Sequence, residues 1–348
     1  MITLVNAAIV GGERSGRTDL AAALGKKGTE SDIVLYNFMK GDHILAAIDP
    51  AGYPKSPRPL VNAVNMADVI VFCVDAAGLD ASAGECIILL DLLRPKHGLV
   101  AITKADTSNQ FALDELKNKI QALTKGTALE GWEILAISTK KHEGIDHLKD
   151  LLFELDDRLK EEHKALNDRP VRISIDHHFN VTGIGCVILG YVKQGTVNVH
   201  DKLTVYPLKQ EAEVRSIQTN DIDVKAAPTG SRVGIALKGV QSKDLDRGFV
   251  LATAESVGDQ FALRATTARF KGELRAGDKV HVYTGLQSSP AVVQQVSENG
   301  GAVEATKPGK QYNITIKADK EIAYSPGDLF LLARLEDPKQ RFLACGTP

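Results

Sequence analysis

Cysteine is scarce: the 348 residues hold 4, and Cys73, Cys86, Cys186 and Cys345 stand far apart with no C-x-x-C pair. That argues against a disulfide scaffold or a thiolate zinc site and suits small core residues in a reducing cytosol. No run approaches the ~18 apolar residues of a membrane-spanning helix. The opening MITLVNAAIV has no basic leader and runs into a glycine loop, so a buried first strand is expected rather than a secretion signal. A clustered basic stripe is also missing. Residues 1–165 carry 19 Lys+Arg against 24 Asp+Glu, and residues 166–348 carry 23 against 20, which permits a nucleic-acid partner for the second half without demanding one. No carboxylate pair, Ser/His/Asp set or thiol nucleophile stands out. HEGIDH, residues 142–147, spaces its histidines five apart, off a shared helix face, so no zinc helix is expected there. What remains is 43% hydrophobic and 25% charged, ordinary for a globular chain of roughly two or three domains.

In the first half, continuous apolar runs alternate with helical spacing. ITLVNAAIV (2–10), HILAAID (43–49), VIVFCVD (69–75), GLVAIT (98–103) and WEILAIS (132–138) read as strands buried on both faces. Leu113, Leu116, Ile120 and Leu123 mark one helix, and Ile145, Leu148, Leu151, Leu152, Leu155 and Leu159 a longer one. The pattern predicts an α/β domain with a mostly parallel sheet. After NDRP, residues 167–170, short alternating strands such as VRISIDHHF and CVILGYV are split by glycines, and turn-then-strand signals recur at His200-Asp201-Lys202-Leu203 and Ala276-Gly277-Asp278-Lys279. Two antiparallel β-barrels are expected, divided near SVGDQ at 256–260. The domains are set at 1–166, 167–256 and 257–348.

Four short motifs fall at the ends of successive apolar runs. Gly11-Gly12-Glu13-Arg14-Ser15-Gly16-Arg17-Thr18 has the frame of a phosphate-binding loop, with arginine where that loop carries lysine. Backbone N–H groups and a helix start would cradle phosphates there, and the Thr18 hydroxyl is placed for Mg²⁺. Asp49-Pro50-Ala51-Gly52 is a D-x-x-G, whose aspartate would hold the magnesium water and whose glycine N–H would meet a γ-phosphate. Thr103-Lys104-Ala105-Asp106 places a carboxylate to accept from the guanine edge, with the lysine stem on the base, and Ser138-Thr139 ends the fifth run, where a backbone N–H could meet the guanine carbonyl. Their order, at the carboxyl ends of strands in an open α/β sheet, predicts a P-loop guanine-nucleotide domain binding GTP or GDP with Mg²⁺.

A nucleotide domain of this kind followed by two barrels resembles the elongation factor Tu superfamily. VAITKAD, DAAGLDASAGECIILLDLL and VRISIDHHFNVTGIGCVILGYVKQGTVNVHDKL look like the selenocysteine-specific elongation factors (SelB-like), and within them like an archaeal group proposed as pyrrolysine-specific. The resemblance covers nearly all of the chain and lacks only the extra carboxyl-terminal region of those factors, as in a shorter paralogue. It implies a cytoplasmic translation GTPase with aminoacyl-tRNA and ribosome as partners, and neither membrane nor DNA. It also implies an aminoacyl pocket in the first barrel at Asp176 and Arg232, with His177 where the selenocysteine factor has arginine.

The departures are specific. Arg17 replaces the lysine that bridges β- and γ-phosphates, and a planar guanidinium is not interchangeable with a compact ammonium. Tyr53 stands at the family's water-orienting histidine, the expected catalytic position, and a phenol cannot supply an imidazolium. The segment between Thr18 and Asp49 is short. Aligning Gly28 and Asp32 puts Glu30, flanked by Thr29 and Ser31, where the family has a magnesium-binding threonine. Binding of nucleotide with weak or absent hydrolysis is therefore expected. Alternatives are a non-hydrolysing nucleotide- or tRNA-binding regulator and a GTPase subunit of the sulfate-adenylyltransferase type.

Overall fold

A computed structural model describes residues 3–28, 30–41, 43–270, 272–337 and 340–348. Its first part is a sheet in the order β2-β3-β4-β1-β5-β6-β7, built from β1 (Thr3–Gly11), β2 (Lys26–Lys27), β3 (Val34–Lys40), β4 (His43–Asp49), β5 (Val69–Asp75), β6 (Gly98–Thr103) and β7 (Glu133–Ala136). β4, β1, β5, β6 and β7 run parallel, and the apolar runs supply the first four because both faces of the sheet are covered there; β7, expected to be buried on both faces, is instead the outermost strand and none of its residues is buried. β3 has no such run. Only two of its seven residues, Val34 and Tyr36, are buried, and it lies second from the edge, antiparallel to β4 on one side and to the two-residue β2 on the other, where a continuous apolar sequence is not required.

Helices α1 (Arg17–Leu24), α2 (Arg58–Met66), α3 (Ala81–Leu93), α4 (Gln110–Thr124), α5 (Ile145–Glu154) and α6 (Asp156–Lys164) connect the strands. Asp80 caps α3 by accepting from the Ala83 N–H at 2.7 Å, and Asn109 caps α4 through Ala112 at 2.9 Å. Two expectations are corrected here. The long leucine-marked helix is two helices meeting at Leu155, and Leu123, expected on the buried stripe of α4, is 43% exposed.

Beyond α6 come two closed six-stranded antiparallel barrels. In the first, β8 (Arg172–Val181) pairs with β9 (Gly185–Gln194), and the ring closes because Lys202–Tyr206 pairs with both Val250–Ala252 and Gln210–Thr219. In the second, Lys279–Thr284 pairs with both Gln287–Glu298 and Phe330–Ala333. SVGDQ, near which the barrels are expected to divide, opens the second barrel's first strand, Ser256–Thr267. Closure removes the free edges that open sheets must protect. Each barrel has its own apolar interior. The α2–α3 side of the nucleotide-type domain shares one cluster with Tyr283, Leu331, Phe342 and Cys345 of the second barrel. All four cysteines are buried and free.

Candidate nucleotide and aminoacyl sites

The phosphate-loop frame lies between the end of β1 and α1. Gly11 is required by crowding: a Cβ there would come within 2.3 Å of Ser15 Oγ and 2.8 Å of the Cys73 carbonyl. Gly16 caps α1 at φ 71°, a left-handed conformation that favours glycine. Glu13 and Arg14 are exposed, while Gly12 and Ser15 are buried, joined by a Ser15 Oγ bond to the Gly12 carbonyl at 2.8 Å. The loop is braced from β6 and the turn after it: Thr103 Oγ1 donates to the Ser15 carbonyl at 2.5 Å, and Lys104 Nζ to the Arg14 carbonyl at 2.7 Å and to Asp75 at 2.6 Å. Asp75, at the end of β5, belongs to this constellation although no motif singled it out.

At the base end, Ser138 Oγ donates to Asp106 Oδ1 at 2.6 Å and accepts from the Lys141 N–H at 3.1 Å. That hydrogen bond, aided by Lys140 and Lys141, holds the half-buried Asp106 carboxyl below its ordinary range. Thr139 follows, half-buried. Thr103, Lys104, Asp106, Ser138 and the loop thus meet along one sheet end, where ligands of open α/β folds bind.

The other end of the cleft is closed on itself. Arg17 is 5% exposed and donates through Nη1 to the Gly11 carbonyl at 2.6 Å and through Nη2 to the Tyr53 carbonyl, while its Nε lies 3.2 Å from Asp49 Oδ1. Asp49 is fully buried, and its second oxygen accepts from the Thr18 hydroxyl at 2.8 Å. Burial raises the Asp49 carboxyl above its usual range against the opposing pull of Thr18 and Arg17. The Gly52 N–H donates to the Asp32 carbonyl at 2.8 Å. The two expected metal ligands are therefore bonded to each other, with a guanidinium at the remaining Asp49 oxygen. This arrangement does not fit a magnesium ion held in the family's manner.

Tyr53, placed by sequence at the catalytic position, is 2% exposed, and its hydroxyl donates to Glu85 at 2.9 Å and lies 3.2 Å from the Ser82 carbonyl on α3. Burial, with the Glu85 charge beside it, raises this phenol well above its normal range. It is a wedge between domains rather than a group facing the cleft. Glu30 is exposed and pairs with Lys27 at 3.1 Å. Ser31 bonds the Ile33 carbonyl, and Thr29 lies outside the described residues.

In the first barrel a register shift between Ile175 and His177 makes Asp176 the extra residue of a β-bulge. Bulges re-aim side chains, and Asp176 is buried immediately after a buried Ile175, against strand alternation. His177 Nδ1 lies 3.0 Å from Asp176 Oδ2. Arg247 holds the other oxygen through Nε at 2.8 Å and Nη2 at 2.7 Å, then reaches Asp32 of the nucleotide-type domain through Nη1 at 2.8–2.9 Å. Burial pushes the Asp176 carboxyl up, but the His177 hydrogen bond and the Arg247 charge outweigh it and leave the group below its usual range. Arg232 sits on Arg232–Lys238, in register with Tyr191 of β9, and burial lowers its pKa against Asp176 and Tyr191. Sequence reading missed Arg247 and Asp32, because the DRGFVL around Arg247 carries no spacing that marks a bridge between distant segments.

Residues 185–252 match the family described as elongation factor Tu domain 2. A protein of Methanocaldococcus jannaschii whose function is uncharacterised is 34% identical over 89% of this chain and 89% of its own length. The selenocysteine-specific elongation factor of the same organism is 30% identical over 92% of this chain and 71% of its own. Among solved structures, the translation elongation factor SelB from Methanococcus maripaludis, in complex with the GTP analogue GppNHp, superimposes with a TM-score of 0.85 at 27% identity, covering 99% of this chain and 78% of that one. With phosphate loop, D-x-x-G turn, TKAD and bulged barrel strand in one three-domain frame, the chain belongs to the translation elongation factor family that includes the selenocysteine-specific factors.

Proposed function

We propose that the chain is a guanine-nucleotide-binding elongation factor that carries a specialised aminoacyl-tRNA to the ribosome in the cytoplasm, with weak or no intrinsic GTP hydrolysis. The observation that carries the reading is Asp176, buried at a β-bulge beside His177 and Arg232, its carboxyl held below the usual range, and tied through Arg247 to the nucleotide-type domain. A charged cluster where one domain meets another suits the polar end of an aminoacyl ester. His177 in the place of the selenocysteine factor's arginine fits a cargo other than selenocysteine, and pyrrolysine is the cargo the resemblance suggests. Residues 1–166 would bind nucleotide, and 167–256 with 257–348 the acceptor end of the tRNA. Asp106 and Lys104 would read the base, and the loop N–H groups the phosphates.

Arg232→Ala should weaken charged tRNA more than uncharged tRNA, because the pocket would contact only the esterified amino acid. Filter binding with both forms is the test, and equal losses would make Arg232 a structural or backbone-contacting residue. A non-hydrolysing regulator is the second reading, favoured by the Gly52 N–H already bonded to Asp32. Brisk ribosome-stimulated GTP cleavage by the natural chain would overturn it, and would overturn the expectation of weak hydrolysis as well.

A further inference from the structure

The two departures from the family's motifs are in contact. Arg17 donates to the Tyr53 carbonyl, and its guanidinium carbon lies 5.5 Å from the centre of the Tyr53 ring. The guanidinium of Arg341, from the second barrel, lies 5.4 Å from the same ring centre. Arg341 in turn holds both oxygens of Glu85, at 2.8 and 2.5 Å, and Glu85 accepts from the Tyr53 hydroxyl. A continuous column thus runs from phosphate loop to D-x-x-G turn to α3 to the second barrel.

Three groups at the foot of the column that a γ-phosphate or a metal would engage already have an internal partner. The Gly52 N–H has the Asp32 carbonyl, Thr18 has Asp49, and Asp49 has Thr18 and Arg17. A planar guanidinium can span two carbonyls and a carboxylate at once, which a compact ammonium does not do with the same geometry. We propose that Arg17 is the resident cation of the phosphate end: it offsets Asp49 in place of a divalent metal, so nucleotide binds independently of metal, and through Tyr53 it holds the second barrel docked whatever the nucleotide. The inference rests on the nucleotide-binding reading and goes beyond it, since loss of hydrolysis alone requires neither metal independence nor a fixed docking.

The test is equilibrium binding of fluorescent GDP and of a non-hydrolysable GTP analogue, each in magnesium and in EDTA, for the natural chain and Arg17→Lys, with small-angle scattering of each complex. The natural chain should change affinity by less than about threefold on metal removal and keep one radius of gyration, whereas Arg17→Lys should lose roughly tenfold or more in EDTA. A loss of about tenfold or more for the natural chain overturns the inference alone, as does a nucleotide-dependent change in its radius. No binding of either nucleotide in any condition overturns the nucleotide reading and the inference with it. The natural chain's own measurements decide the matter even where the lysine variant does not fold.

Discussion

The two ends of the candidate nucleotide cleft differ in how their polar groups are satisfied. At the base end, Asp106 is half-buried and accepts one side-chain hydrogen bond, from the Ser138 hydroxyl. At the phosphate end, Arg17 and Asp49 are buried and bonded to loop, turn and helix. The first leaves a carboxylate with capacity for a further partner, and the second is a buried, internally paired core built from the residues of the phosphate-loop and D-x-x-G motifs. Removing a side chain should therefore cost stability at one end and ligand selectivity at the other.

The largest effect is expected at Arg17. Arg17→Ala leaves a buried carboxylate and two carbonyls without their cation, which should cost about 3–5 kcal/mol of unfolding free energy in urea titration. A loss below ~1 kcal/mol would show that the phosphate end is not the core described here. Next is Arg341→Ala, which removes the hydrogen bonds to Glu85 and the Pro54 carbonyl. It should cost about 2–3 kcal/mol and raise hydrogen exchange in α3. Exchange unchanged in α3 would detach the second barrel from the column.

Asp106→Asn should leave the unfolding midpoint in place and weaken GDP and GTP by roughly tenfold to a hundredfold, with relaxed preference over xanthine nucleotides. Equal binding of ATP and GTP by the unaltered chain would remove the base assignment. The smallest effect is a pH dependence. Burial pushes the Glu85 carboxyl up, but the Arg341 hydrogen bonds and charge prevail and leave it below its ordinary range. A carboxyl depressed in the folded state contributes stability that is full above the unfolded value and is lost as pH falls through the folded one. Glu85→Gln should therefore flatten the decline of stability through and below the ordinary carboxylate range. An unchanged acid limb would mean that the pair carries no linkage.

Legibility in the sequence followed periodicity and local spacing. Four of the five apolar runs are buried strands because a sheet covered on both faces needs uninterrupted hydrophobic residues, the fifth is an edge strand with no buried residue, and Val34–Lys40 carries no apolar run because only two of its residues are buried. The break at Leu155 was invisible since leucines continue at helical spacing across it. Arg17 and Tyr53 were each recognised as departures, but 36 residues separate them and no local pattern reports their contact.

What the amino-acid order determined by itself was the frame: an α/β domain with phosphate-loop, D-x-x-G and TKAD elements at strand ends, then two barrels. These depend on side-chain period and on short stretches whose backbone needs are local, such as Gly16 at positive φ. What only the tertiary structure decided was the assignment of partners. Asp49 faces a guanidinium, Gly52 gives its N–H to Asp32, Arg247 joins a barrel carboxylate to the same Asp32, and Arg341 closes on Glu85 across 256 residues. Buried charges and donors have to be satisfied by whatever the packed chain brings within about 3 Å, and that choice is made by the fold as a whole.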